Sequence, residues 1–148
     1  MERFATCHGD PKWQCPERVK KLKVIPEMHC DKGCGECCGV VPATETEFRA
    51  VQRFIADNGI QPAAHTDGTC PFYQNQGCAI YPVRPLMCRL YGHSADPLMT
   101  CPRGYNVNLP ERDAVRMLRG NGKNTHVLHE LAPNWHDIEH MIPKRDPN

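Results

Sequence analysis

Large apolar side chains are scarce in this chain. Leu, Ile, Val and Phe together make up 27 of its 148 residues, about 18%, a level at which a chain struggles to bury a core of its own. High net charge, the usual companion of disorder, is missing as well. Eighteen Lys and Arg stand against seventeen Asp and Glu, for a formal charge of +1. That balance excludes a strongly basic nucleic-acid binder and an acidic tail. No window approaches the ~18 apolar residues of a membrane span, and Met1 to Asp10 lacks the apolar stretch of a secretion signal. There is no glycine-rich phosphate loop, no G-x-S-x-G elbow and no paired-carboxylate arrangement. Internal repeats and low-complexity stretches are absent too. The length is that of one domain.

What the chain does have is sulfur: ten cysteines, together with fourteen prolines and eleven glycines. A lean core interrupted by so many breaks calls for a covalent or metal staple. With no secretion signal the expectation is a cytoplasmic chain, in which thiols stay reduced and clustered cysteines serve metals or redox chemistry rather than disulfides.

The cysteines fall into two blocks. Cys30, Cys34, Cys37 and Cys38 lie within nine residues, in a glycine-rich loop whose backbone amides can turn toward bound sulfur. Cys70, Cys78 and Cys88 follow, with Cys101 close behind. A tetrahedral zinc site or an iron–sulfur cubane needs four thiolates converging from at least two segments, and two blocks supply them. Cys37 and Cys38 are adjacent, so their side chains diverge and suit separate roles. Eight thiols permit two four-sulfur zinc sites, or one cluster with four cysteines to spare. With no histidine essential to the pattern, an all-thiolate site is expected. The glycine-rich loop favours an iron–sulfur cluster over zinc.

Local patterning yields a mainly α, loop-rich small domain with one short β-hairpin, organised around a cysteine-ligated metal centre. Thr44 and Glu47 form a capping box that opens a helix burying Phe48, Val51, Phe54 and Ile55, with Gly59 as its stop. Cys70–Tyr73 and Cys78–Tyr81 flank the turn signal Asn75-Gln-Gly77 and form the hairpin. Pro85 starts a short helix carrying Leu86, Met87, Cys88, Leu90 and Tyr91. A helix from Pro110 to Arg119 turns Val115 and Leu118 inward and stops at Gly120. Helices over Thr125–Leu131 and from Asn134 through Met141 complete the chain. The division expected is an irregular arm over 1–29, a cysteine-cluster core over 30–105 and a helical extension over 106–148.

The run C-x3-C-x2-C-C, followed by Cys70-Pro-Phe and by Gly77-Cys-Ala-Ile-Tyr-Pro-Val-Arg-Pro-Leu-Met-Cys-Arg89, resembles the YkgJ-like CxxCxxCC cysteine-cluster family. That family is described as zinc- or iron-chelating, and the matching block runs from about Cys30 to Cys101. The resemblance implies metal ligation by Cys30, Cys34, Cys37, Cys38, Cys70, Cys78, Cys88 and Cys101. A flagellin lysine methylase carries a similar cluster, but 148 residues leave little room for a separate substrate domain. Relatives in phage genomes imply a place in a larger assembly such as a tail or baseplate, with protein partners and a virion location if phage-encoded.

Arg84 and Arg89 flank Cys88, where their guanidinium groups can offset thiolate charge or donate hydrogen bonds that tune the centre. An ordinary ion pair with Asp or Glu is the plainer reading. Cys30-x3-Cys34-x2-Cys37 is also the spacing of radical S-adenosylmethionine enzymes, whose partial β/α barrel is longer than this chain. His136-Asp-Ile-Glu-His140 is not the H-E-x-x-H zinc motif, and it reads with His126 and His129 as a set of surface histidines. Cys7, His8 and Cys15 form an accessory site or plain thiols. Trp13 and Trp135 read as packing or interface residues. The basic run Arg18 to Lys23 reads as a solvated face, and nucleic acid is not expected as a partner. The leading functional expectation is a metal-binding structural or interaction module, not an enzyme. The alternative is a redox or group-transfer accessory protein using an iron–sulfur cluster.

Overall fold

The computed structural model of the protein describes residues 38–91, 93, 101 and 109–142. Its elements run β1 (Pro42–Thr44), α1 (Glu45–Asn58), β2 (Tyr73–Gln74), β3 (Gly77–Cys78), α2 (Leu86–Leu90), α3 (Glu111–Asn121), β4 (Asn124–Val127) and α4 (Trp135–Ile138). Short 3-10 turns sit at Tyr81–Val83, Leu128–Leu131 and Glu139–Met141. Helices dominate, as expected. No helix among these residues is long and apolar enough to cross a membrane.

The strongest local signals produce the expected elements. At α1, Thr44 accepts from the Glu47 amide and Glu47 Oε1 accepts from the Thr44 amide, at 3.2 and 3.0 Å, which satisfies two of the helix's orphan donors. Gly59 closes it in the left-handed region at φ +63°, where a Cβ would be penalised. Phe48 and Val51 are buried, and Phe54 and Ile55 pack against the core.

The hairpin is the antiparallel pair of β2 and β3, with Tyr73 opposite Cys78 and Gln74 opposite Gly77. Its turn differs in detail from expectation. Asn75 and Gln76 carry the positive φ values, 53° and 60°, so the tight turn falls on them and Gly77 joins the strand. Two left-handed residues match the twist of a two-residue hairpin.

Four expectations fail toward the C-terminus. Thr125–Leu131 is not a helix: Asn124–Val127 forms strand β4, antiparallel to β1, before a 3-10 turn. Pairing with Pro42–Thr44 and burial of Val127 override weak helical periodicity. Helix α3 forms, but Val115 and Leu118 are 37% and 39% exposed, while Ala114 is buried and Met117 packs with Leu86, Leu90 and Leu109. The small Ala114 lets α2 approach, and the inward stripe is rotated by one residue. The helix also runs past Gly120 to Asn121, and Gly122 supplies the positive φ that ends it. Asn134 precedes α4 without capping it through its side chain, because its amide donates to the His65 carbonyl at 3.1 Å.

The main core joins Val41, Ala43, Val51, Cys70, Phe72, Ile80, Val83 and Leu128, and a second small cluster unites α2 with α3. Strand β4 thus returns the later part of the described chain to β1, a few residues after Cys38. The buried Glu47 links these parts. Its Oε2 accepts the Leu86 amide at 2.6 Å, across 39 residues. One carboxylate therefore serves the start of α1 and the start of α2.

Glu47→Ala leaves two main-chain amides without their carboxylate and is expected to cost about 3 kcal/mol by urea unfolding, with Glu47→Gln, which keeps an acceptor oxygen, costing roughly half. A loss well under 1 kcal/mol for Glu47→Ala would show that the link carries little.

Candidate metal centre

Of the eight cysteines expected as ligands, five fall in the described residues, while Cys30, Cys34 and Cys37 lie outside them, as do Cys7, His8, Trp13, Cys15 and the run Arg18 to Lys23. Cys38, Cys70, Cys78 and Cys88 all border the same apolar core, Cys70 buried within it and the other three packed against its edge. The main chain explains why they border one core. Cys70 donates its amide to the Cys38 carbonyl at 2.7 Å, so the two blocks meet there. The Tyr73 amide returns to the Cys70 carbonyl at 3.0 Å, and Tyr73 pairs with Cys78 across the hairpin. Cys88 follows in α2, whose first turn Glu47 holds. Cys101 is buried but belongs to neither core cluster. Among the described residues, no three His, Cys, Asp or Glu side chains are gathered closely enough to hold a metal ion. The donors present are nevertheless of the kind that zinc and iron–sulfur centres take, soft sulfur at an apolar boundary.

Arg84 and Arg89 organise the loop around Cys88. Arg84 donates from Nε to the Tyr81 carbonyl at 3.0 Å and lays its guanidinium over the Tyr81 ring, 3.7 Å from the centroid. Arg89 donates to the carbonyls of Arg84 and Pro82, at 3.0 and 2.9 Å. The fork geometry of arginine suits this bridging of neighbouring carbonyls, and it fixes the path from the hairpin into α2.

The histidines depart from a uniform surface set. His136 and His140 are exposed, as expected. His126 lies flat on Phe48, ring centroids 4.1 Å apart and 11° from parallel. Its Nδ1 meets Glu130 Oε1 at 3.1 Å and its Nε2 meets Glu45 Oε2. Partial burial alone would lower the His126 pKa, but the hydrogen bonds and charges of Glu130 and Glu45 outweigh it and raise it above the ordinary 6.5. Glu45 is held below the usual carboxylate value by His126 and then by Arg49. This cluster clamps β4 to α1.

His129 is buried, with 1% of its surface exposed. Its Nε2 lies 3.1 Å from both the Gly68 and the Thr69 carbonyls. Those two carbonyls face it because Gly68 adopts φ +88° and Asp67 Oδ1 accepts the Thr69 amide at 3.0 Å. Burial lowers the His129 pKa, opposed by the two carbonyls and assisted by nearby His65. His65 is anchored alike, Nε2 to the Tyr73 carbonyl at 2.9 Å. Two imidazoles thus bracket the loop carrying Cys70. Nothing local in the sequence marks them, since the carbonyls they use lie up to 61 residues away.

Residues 29–126 match the CxxCxxCC family, described as "Putative zinc- or iron-chelating domain". The match covers well over half of the chain, and the protein belongs to this family. Its first cysteine gap is three residues, one more than in the family's name. No curated protein and no solved structure matched significantly.

Because the folded-state pKa of His126 is raised, its contribution to stability is fully present below about pH 6.5 and is lost as pH rises through the folded-state value. His129, with its pKa lowered, works in the opposite sense. The difference in thermal midpoint between wild type and His126→Gln isolates the first effect, and it is expected to shrink as pH rises from 6 to 8. A constant difference across that range would contradict it.

Proposed function

We propose that the two cysteine blocks of this zinc- or iron-chelating family member hold a metal centre, and that the centre's first role is to fold and brace the domain. The observation that carries the reading is the meeting of the two blocks' main chains: the Cys70 amide donates to the Cys38 carbonyl, and Cys78 and Cys88 pack against the same core. The ligand set proposed is Cys30, Cys34, Cys37, Cys38, Cys70, Cys78, Cys88 and Cys101. An iron–sulfur cluster is favoured over zinc by the glycine-rich sequence between Gly33 and Gly39. Arg84 and Arg89 brace the loop on either side of Cys88, and their charge would offset that of bound thiolates.

The scarcity of large apolar residues supports a structural role. A metal held by thiolates contributes folding energy directly, roughly 10–16 kcal/mol of apparent binding for structural zinc in finger peptides. A protein partner within a larger assembly completes the proposal. The exposed Val115 and Leu118, three residues apart on α3, offer apolar surface for one.

Removing the metal with a chelator under reducing conditions is expected to abolish most of the far-ultraviolet helical signal, and restoring it to recover the signal. Cys38→Ser and Cys70→Ser are each expected to lower the metal bound per chain. Native-like circular dichroism after complete metal removal would contradict the structural role, and undiminished metal in both variants would contradict the ligand assignment.

A further inference from the structure

His126 sits between two carboxylates, and both of its ring nitrogens are engaged. Nδ1 meets Glu130 Oε1 at 3.1 Å, and Nε2 meets Glu45 Oε2. A carboxylate only accepts, so holding both contacts at once takes two N–H groups, and a neutral imidazole has one. The extra proton does not belong to either carboxyl group. Glu130 Oε2 accepts the Val127 amide at 2.7 Å, and Glu45 Oε1 accepts from Arg49 Nε at 2.9 Å. Each carboxyl group thus receives donors at both oxygens, the pattern of its ionised form. The ring in this arrangement is therefore an imidazolium. The elements packed against it bring matching charges: α1 carries Glu45 and Arg49, the 3-10 turn after β4 carries Glu130, and β1 sets the uncharged Ala43 opposite it. Two positive groups stand against two negative ones.

The two halves of this bridge are unequal. Glu130 is four residues from His126 and is tied by its second oxygen to the last amide of β4, with 29% of its side chain exposed. Glu45 reaches across from α1, is 51% exposed, and has Arg49 as a second partner. A ring that loses one proton keeps Nδ1–H on the tethered Glu130. Its Nε2 lone pair then faces the Glu45 carboxylate with no proton between them, and Glu45 is free to turn toward water and Arg49. We infer that His126 is a proton-operated clasp, which fastens β4 to the first turn of α1 while protonated and on deprotonation releases Glu45 alone, keeping Glu130 and the stack on Phe48. This goes beyond a stability that declines with pH, because it assigns the bond that opens and the seam that is freed. What then spans the seam is the main-chain pairing of β1 with β4 and the Leu128 amide on the Val41 carbonyl. Both carboxylates raise the His126 pKa above its ordinary 6.5, which places the release above that value, where histidine switches operate. The clasp uses no cysteine and is independent of the metal-binding reading.

The test is nitrogen-15 and carbon-13 NMR of the full chain as pH rises from about 6 to 8.5. The His126 ring is identified by its through-space contacts to the Phe48 ring and by the loss of its signals in His126→Gln, so the assignment survives if that variant does not fold. At the low end both ring nitrogens are expected to carry protons. At the high end Nδ1 should keep its proton and Nε2 should lose it, and the Glu45 carboxyl carbon should shift with the same midpoint. Glu45→Gln is expected to lower that midpoint. A ring with a single proton at the low end would overturn the inference, as would one still doubly protonated at the high end. A neutral ring with its proton on Nε2 would overturn it equally, and so would a Glu45 carboxyl carbon that ignores the titration.

Discussion

A single buried carboxylate stands at the junction of the elements that matter most here. Glu47 closes the capping box of α1 with one oxygen and receives the Leu86 amide with the other. Two helix starts, each with unsatisfied donors and positive partial charge, thereby share one negative group at the edge of a small core. The consequence is geometric. The orientation of α2, and with it Cys88, is referred to α1 through a short charge-assisted bond rather than through apolar packing alone. From α1 the same reference extends to β1 and, through the clamp of His126 on Phe48, Glu45 and Glu130, to β4.

This polar framework compensates for a shortage. With so few large apolar side chains, the main core among the described residues amounts to eight buried residues, one of them Cys70. Cysteines at its edge do part of the work that Leu or Ile would do elsewhere, being small and readily buried. They also leave sulfur at a boundary where a metal can reach it. With these thiols as the proposed ligands, folding and metal binding would draw on the same residues, which would couple the two thermodynamically.

Features encoded within a few residues were readable from the sequence. The capping box of Thr44 and Glu47, the stop at Gly59, the hairpin around Asn75 and the start of α2 after Pro85 all depend on local stereochemistry. The paired blocks of cysteines were equally plain, and the family match agrees with them. What escaped depends on distance. The partner of β4 lies about eighty residues earlier, so four residues, Asn-Thr-His-Val, could not declare themselves a strand. The rotation of α3 is set by how closely Ala114 allows α2 to approach, which the alternation of apolar residues does not reveal. The second oxygen of Glu47 and the burial of His129 are likewise long-range facts. His129 looked like one surface histidine among four because its anchors, Gly68 and Thr69, carry no side-chain signal of their own.

The central claim is that cysteines from both blocks hold a metal in the native protein. Its most direct test is to purify the full chain without oxygen and measure iron, zinc and acid-labile sulfide per chain together with the visible spectrum. The account predicts a stoichiometric metal: iron with matching sulfide and broad absorbance near ~400 nm for a cluster, or colourless protein with one or two zinc ions. A folded chain carrying neither metal, with its thiols intact, would contradict it.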